Sequence, residues 1–138
     1  MQAIKVDHVA VVVADMEQAL DFWQHALGLP LEGTESVPAE GVDVAFLPVG
    51  ETRIELLHPT DTDSGVARYL ERRGGGLHHL CLAVADIDAA LKQLREREVE
   101  LINPTPATRD DGTRYAFVHP KSTGGVLLEL YETSEGHA

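Results

Sequence analysis

Several things are scarce in this chain, and each shortage excludes something. Cys81 is the only cysteine among 138 residues, so no intrachain disulfide can form, and in its apolar stretch it reads as a small buried residue. Basic residues are few: 11 Lys and Arg against 23 Asp and Glu give a formal net charge of −12. That balance argues against nonspecific nucleic-acid binding, which needs a basic surface. An anionic ligand would therefore need a local basic patch. No apolar run is long enough to span a bilayer, and the N-terminus lacks a basic region followed by a secretory apolar stretch. The expectation is a soluble, cytoplasmic protein with no membrane partner. Phosphate loops are missing as well. Gly74-Gly75-Gly76 follows a helical pattern and leads into a strand, the reverse of the order needed for dinucleotide binding. No nucleophile elbow for Ser-His-Asp catalysis is found either.

What the chain does contain is a repeat. His8-Val9-Ala10-Val11-Val12-Val13-Ala14-Asp15 is echoed by His79-Leu80-Cys81-Leu82-Ala83-Val84-Ala85-Asp86, 71 positions later. A helical pattern follows each copy. Met16, Ala19, Leu20 and Trp23 match Ile87, Ala90, Leu91 and Leu94, each set with the i, i+3, i+4, i+7 spacing of a buried helix face. A lone histidine opening an apolar strand is usually structural. One at the same point of both modules favours function, because two related modules can bring both to a shared centre. His78 has no such claim, since on a strand it points away from the face that His79 takes.

Length and apolar content suit one domain with a sizeable core, spanning 1–138. Module one covers about 4–58, a connecting helix about 64–73, and module two about 77–132. In the first module the pattern predicts a strand over 4–13 and a helix capped by Asp15, running to about Leu27 with Gly28 as its stop. Further strands are expected at 31–37, 42–49 and 52–57. The second module predicts a strand at 77–84 and a helix from the Asp86 cap to about Glu98 with no glycine stop. Short strands near 99–102, 107–109, 114–119 and 126–131 complete it, with Asp111-Gly112 and Gly124-Gly125 as hairpin signals. Each module thus reads strand-helix-strand-strand-strand. The expected class is α+β: two tandem βαβββ modules whose mixed sheet curves into a cup around a shared metal site.

The last strand of each module carries an acid within an apolar run, in Ile54-Glu55-Leu56-Leu57 and in Leu128-Glu129-Leu130-Tyr131. A carboxylate so flanked must face solvent or a partner. Two acids at equivalent places, matched with two equivalent histidines, point to a site. His8, Glu55, His79 and Glu129 form an imidazole and carboxylate set without thiolate, which suits a divalent ion such as Co, Mn, Ni, Zn or Fe(II) and leaves room for water or substrate.

With these residues in view, the chain resembles the vicinal oxygen chelate superfamily, which includes glyoxalase I, extradiol dioxygenases and antibiotic-resistance proteins. Within it the chain is similar to the methylmalonyl-CoA epimerases over nearly its whole length. The stretches that carry the likeness are Asp7-His8-Val9-Ala10, Gly41 to Leu47, Ile54 to Leu57, Gly76 to Leu80 and, most specific of all, His119-Pro120-Lys121-Ser122-Thr123-Gly124-Gly125-Val126-Leu127-Leu128-Glu129-Leu130.

The resemblance implies a metal-dependent epimerase that interconverts the two C2 configurations of methylmalonyl-CoA through a metal-stabilised enolate. The family's metal ligands fall on His8, His79 and Glu129, with Glu55 at a fourth position that holds Gln or Glu. Inversion calls for an acid/base group on each face of C2. Glu129 is the first choice for one. Some family members carry a catalytic Glu at the position of Val44, where this chain cannot transfer a proton, so Glu55 or a bound water is assigned the second role. Lys121, Ser122 and Thr123 are expected to contact the acyl carboxylate or thioester end. Arg53, Arg109 and Arg114 could meet the CoA phosphates, but surface arginines are usually just solvated, and none is assigned that role. The implied partners are an acyl-CoA small molecule and, by superfamily habit, a second copy of the chain. A glyoxalase I-type isomerase maps onto the same four ligands but fits the His119 to Val126 block less well. An iron dioxygenase needs only two His and one carboxylate. A non-catalytic drug-binding protein of the same fold is the rival of another class; such members often lack the full metal set, so four intact ligands argue for an enzyme.

Overall fold

The two repeats fold as two compact units, His8–His78 and Met1–Asp7 with His79–Ala138. A computed structural model describes residues 2–133. Each unit follows the expected order, so the α+β class read from the repeat is the one observed.

In the unit His8–His78, β1 (Ala3–Val12) from His8 onward leads into α1 (Met16–Leu20), then β2 (Gly33–Val37), β3 (Val42–Val49) and β4 (Thr52–Pro59). The sheet order is β2-β3-β4-β1. β4 runs parallel to β1, and the other two neighbours pair antiparallel. The alternation of strand side chains gives this sheet two different faces. On one, Ala45, Leu47 and Leu56 pack with Met16, Ala19, Leu20 and Trp23 of the helical segment. On the other, Ala10, Val12, Val44 and Leu57 pack with Val66, Tyr69 and Leu70 of α2 (Gly65–Arg73). Val44, the position without an acid, is buried in that apolar cluster. Ser64 caps α2, its hydroxyl accepting from the Ala67 N–H at 3.1 Å.

The other unit contains β5 (Gly76–Val84) from His79 onward, α3 (Ile87–Glu96), β6 (Ala107–Thr108), β7 (Arg114–Val118) and β8 (Leu128–Glu132). Its order is β5-β8-β7-β6, with β8 parallel to β5 and the remaining pairs antiparallel. α3 lays Ile87, Ala90, Leu91 and Leu94 on Val84, Ala116, Val118 and Leu130. Arg114 braces this packing from β7, reaching Asp88 of α3 at 2.8 Å and Glu132 of β8 at 3.4 Å. The Asp88 hydrogen bond chiefly holds its pKa above the usual arginine value.

Four local expectations need correcting. The first helix is α-helical for only one turn and then becomes a π-helix over Asp21–Ala26, with the Leu27 N–H bonded to the Phe22 carbonyl five residues back. Wider turns of this kind are rare and occur mostly as single-turn insertions in α-helices. The second helix stops at Glu96, and Glu98 takes the left-handed conformation, φ 61°, that a glycine would normally take. The strand near 99–102 is reduced to one bridge between Leu101 and Val118. Gly124-Gly125 is not a two-residue hairpin: β7 and β8 are joined by a longer loop opening with a 3-10 turn over Pro120–Ser122. Asp111-Gly112 does turn the β6–β7 hairpin, the Gly112 N–H bonding to the Arg109 carbonyl at 2.9 Å. No helix among the described residues is long and apolar enough to cross a membrane.

Candidate active site: two buried histidine–glutamate pairs

Strand register places the four residues singled out by the repeat. In the first unit Glu55 stands opposite Ala10 of β1 and Phe46 of β3. In the second, Glu129 stands opposite Cys81 of β5 and Phe117 of β7. Ala10 and Cys81 each lie two residues after a repeated histidine, hence on that histidine's face of the strand. His8 and Glu55 therefore meet, as do His79 and Glu129, with a phenylalanine beside each glutamate.

The contacts are short and withdrawn from solvent. His8 Nδ1 lies 3.3 Å from Glu55 Oε2, and His79 Nε2 lies 3.1 Å from Glu129 Oε1. Glu129 is 1% exposed, while His8 and Glu55 are each 8% exposed. Carboxylates buried to this degree need compensation, and two arginines supply it. Arg53 Nη2 reaches Glu55 Oε2 at 3.3 Å, and its guanidinium lies 4.9 Å from the centre of the Phe46 ring. Arg109 Nη2 donates to Glu129 Oε2 at 2.9 Å, and its guanidinium carbon lies 3.8 Å from the centre of the Tyr115 ring. Among the described residues no buried side-chain nitrogen or oxygen lacks a hydrogen-bond partner.

Neither arginine was expected here. Arg53 left a faint signal, since it precedes Glu55 by two on the same strand and shares its face. Arg109 left none, because it arrives from just beyond β6.

The donor chemistry fits a divalent ion. Adjacent nitrogen and oxygen ligands bound at about 2.0–2.2 Å stand roughly 3 Å apart, close to the separation within each His–Glu pair. The loop residues are placed differently. Lys121 is exposed. The Ser122 hydroxyl accepts from the Glu100 N–H at 2.9 Å. Thr123 Oγ1 bonds to Pro120 O and to both the carbonyl and the N–H of Val126. Both hydroxyls thus shape the loop that feeds β8.

The chain belongs to the Glyoxalase/Bleomycin resistance protein/Dioxygenase superfamily, whose model matches residues 7–117. It is 37% identical over 127 residues to the mitochondrial methylmalonyl-CoA epimerase of Homo sapiens, covering 91% of this chain and 72% of that one. It is also 37% identical to the ethylmalonyl-CoA/methylmalonyl-CoA epimerase of Cereibacter sphaeroides, covering 91% and 96%. A Streptomyces coelicolor methylmalonyl-CoA epimerase variant solved with 2-nitronate-propionyl-CoA superposes with a TM-score of 0.87 at 30% identity, covering 96% of each chain. Within the superfamily, then, the chain falls in the methylmalonyl-CoA epimerase family, and its class is that of an isomerase.

Proposed function

We propose that this protein inverts C2 of methylmalonyl-CoA, or of a close 2-alkylmalonyl thioester, at a site holding one divalent ion on His8, Glu55, His79 and Glu129. The observation that carries this reading is the matched pair of buried His–Glu contacts, 3.3 Å and 3.1 Å, one in each repeat. A structural role would not require the same costly burial twice at equivalent positions. The relative from Cereibacter sphaeroides, named for both ethylmalonyl-CoA and methylmalonyl-CoA, supports the wider substrate class. In this reading the two modules act as one domain, a cup around the substrate, and two chains form a homodimer in the cytoplasm.

C2 of the substrate lies between a thioester carbonyl and a carboxylate, so losing its proton sends the C–H electron pair into the carbonyl and gives an enolate. An ion held by these residues would supply positive charge to offset the negative charge that develops on the enolate oxygens. The chain's own residues move the proton. Glu129 accepts it on one face of C2, and Glu55 or a water returns one on the other face. Both carboxylates share their charge with cations, which weakens each as a base, and a water offers the alternative to Glu55 on the second face. Lys121, in the loop before β8, offers a cation to the acyl carboxylate while Ser122 and Thr123 hold the loop's shape.

The test is hydrogen exchange at C2. Methylmalonyl-CoA incubated in deuterated water with the Co- or Mn-supplemented protein should gain deuterium rapidly. Chelator treatment should abolish the gain. Absence of exchange by folded, metal-supplemented protein would remove the assignment.

A further inference from the structure

We infer that Arg53 is a resident counter-cation that competes with the divalent ion for Glu55 and thereby sets the affinity of the site. The inference rests on the ion-binding reading above. It starts from a difference in which oxygens are taken. On Glu129 the two partners separate, His79 standing 3.1 Å from Oε1 and Arg109 2.9 Å from Oε2. On Glu55 they converge: His8 Nδ1 and Arg53 Nη2 both stand 3.3 Å from Oε2. An ion ligated beside His8 would seek the same oxygen that Arg53 holds. Two cations cannot share it without strong repulsion at such a separation.

Arg53 also has somewhere to go. It borders an open groove of about 360 Å³ with Glu32, Glu35 and Phe46 on its walls. Its Nη1 already lies 3.7 Å from Glu32 Oε1. The Phe46 face supports the guanidinium between the two acids. Uptake of an ion would thus shift Arg53 from Glu55 towards Glu32, and the free energy of that exchange would subtract from binding. Replacing Arg53 with a neutral residue of similar length should tighten binding, and a lysine should not, because it keeps the charge.

The experiment is isothermal titration of chelator-stripped, full-length protein with Co²⁺ and with Mn²⁺, each variant first checked by circular dichroism and thermal melting. Arg53→Met and Arg53→Gln should each lower Kd by roughly ten-fold, the order expected from removing one nearby unit charge. Arg53→Lys should stay near wild type. In a Glu55→Gln background, Arg53→Met should tighten binding less than it does in the wild-type background, since the contested carboxylate is gone and only the repulsion between arginine and ion is relieved. Unchanged or weaker binding by both neutral variants, with wild-type protein binding the ion normally, would overturn the competition. Wild-type protein that takes up no ion would overturn the metal site itself and the inference with it.

Discussion

Set side by side, the two repeats agree in what a strand can encode and differ in what it cannot. Both put a histidine on the first strand, a glutamate on the last and a phenylalanine opposite that glutamate, at matching registers. Their arginines come from unrelated places: Arg53 from the glutamate's own strand, Arg109 from just beyond β6. The outcomes diverge accordingly. His79 and Arg109 take different oxygens of Glu129, which is 1% exposed; His8 and Arg53 converge on Oε2 of Glu55, which is 8% exposed, and Arg53 borders an open groove. The repeat supplies the donors, and the departures from it give the two glutamates different freedom.

The largest effect expected from this asymmetry is on proton transfer. Glu129→Gln should slow C2 deuteration by about 10³-fold, within the range for losing a positioned acid/base. Glu55→Gln should slow it by about ten-fold if water can substitute there. Equal losses in the two variants, at saturating metal, would break the proposed division of labour. Full activity of Glu55→Gln with intact metal binding would remove Glu55 as a proton donor altogether.

Next comes stability. Breaking a buried ion pair by removing one partner is costly because the other charge is stranded. Arg109 is about one third exposed at its side chain (32%), which softens that cost. Arg109→Met should therefore destabilise the metal-free protein by about 2 kcal/mol, read by urea denaturation. Arg53→Met should cost under about 1 kcal/mol, since Glu55 is less deeply buried and keeps His8. The reverse order would show that Glu129 does not depend on Arg109.

The helix ends give a third contrast. Gly28, φ 86°, follows the first helical segment without strain, while Glu98, φ 61°, holds a comparable backbone at the end of the second. Glu98→Gly should stabilise the protein by about 0.5–1 kcal/mol, the usual penalty for a side chain in that conformation less glycine's entropy in the unfolded state. A loss of stability instead would mean that the Glu98 side chain earns its place by contacts.

These contrasts also mark how far the sequence is legible. The period of two on β1, β4, β5 and β8 makes the His–Glu faces readable, because repeated spacing on strands fixes which side chains share a face. Helical periodicity likewise located α3's core face correctly. Cross-strand neighbours were not readable. Arg109 meets Glu129, 20 residues away, through β6–β7–β8 pairing, and nothing local to Arg109 encodes that register. The π-helical turn at Asp21–Ala26 is not legible either: the apolar spacing of Met16, Ala19, Leu20 and Trp23 suits an ordinary helix and carries no mark of the wider one. Gly124-Gly125 looked like a hairpin because the Thr123 hydroxyl, which ties that loop together, leaves no trace in spacing.

The smallest expected effect lies at two exposed turns, one per unit, built on the same device. The Asp61 carboxylate accepts from the Ser64 N–H at 3.0 Å just before α2, and Asp111 accepts from the Thr113 N–H at 2.8 Å in the β6–β7 hairpin. Hydrogen bonding by Ser64 holds the Asp61 pKa below its ordinary 3.8, and Thr113 does the same for Asp111. A depressed carboxylate binds fewer protons in the folded state than in the unfolded one. Its contribution is therefore fully present above about pH 4–5 and is lost as pH falls through the folded value, below 3.8. Asp61→Asn and Asp111→Asn, which keep an acceptor but drop the charge, should each lower the melting temperature slightly at pH 6. The gap to wild type should close as pH falls from 4 towards 2. Asp61 should show the larger gap, because its carboxylate packs so closely on Gly41 that a side chain there would collide with it, whereas a side chain at Gly112, beside Asp111, would meet open space. A gap that stays constant with pH would assign the effect to shape rather than charge, and equal gaps would mean that the packing around Asp61 adds nothing to the hydrogen bond.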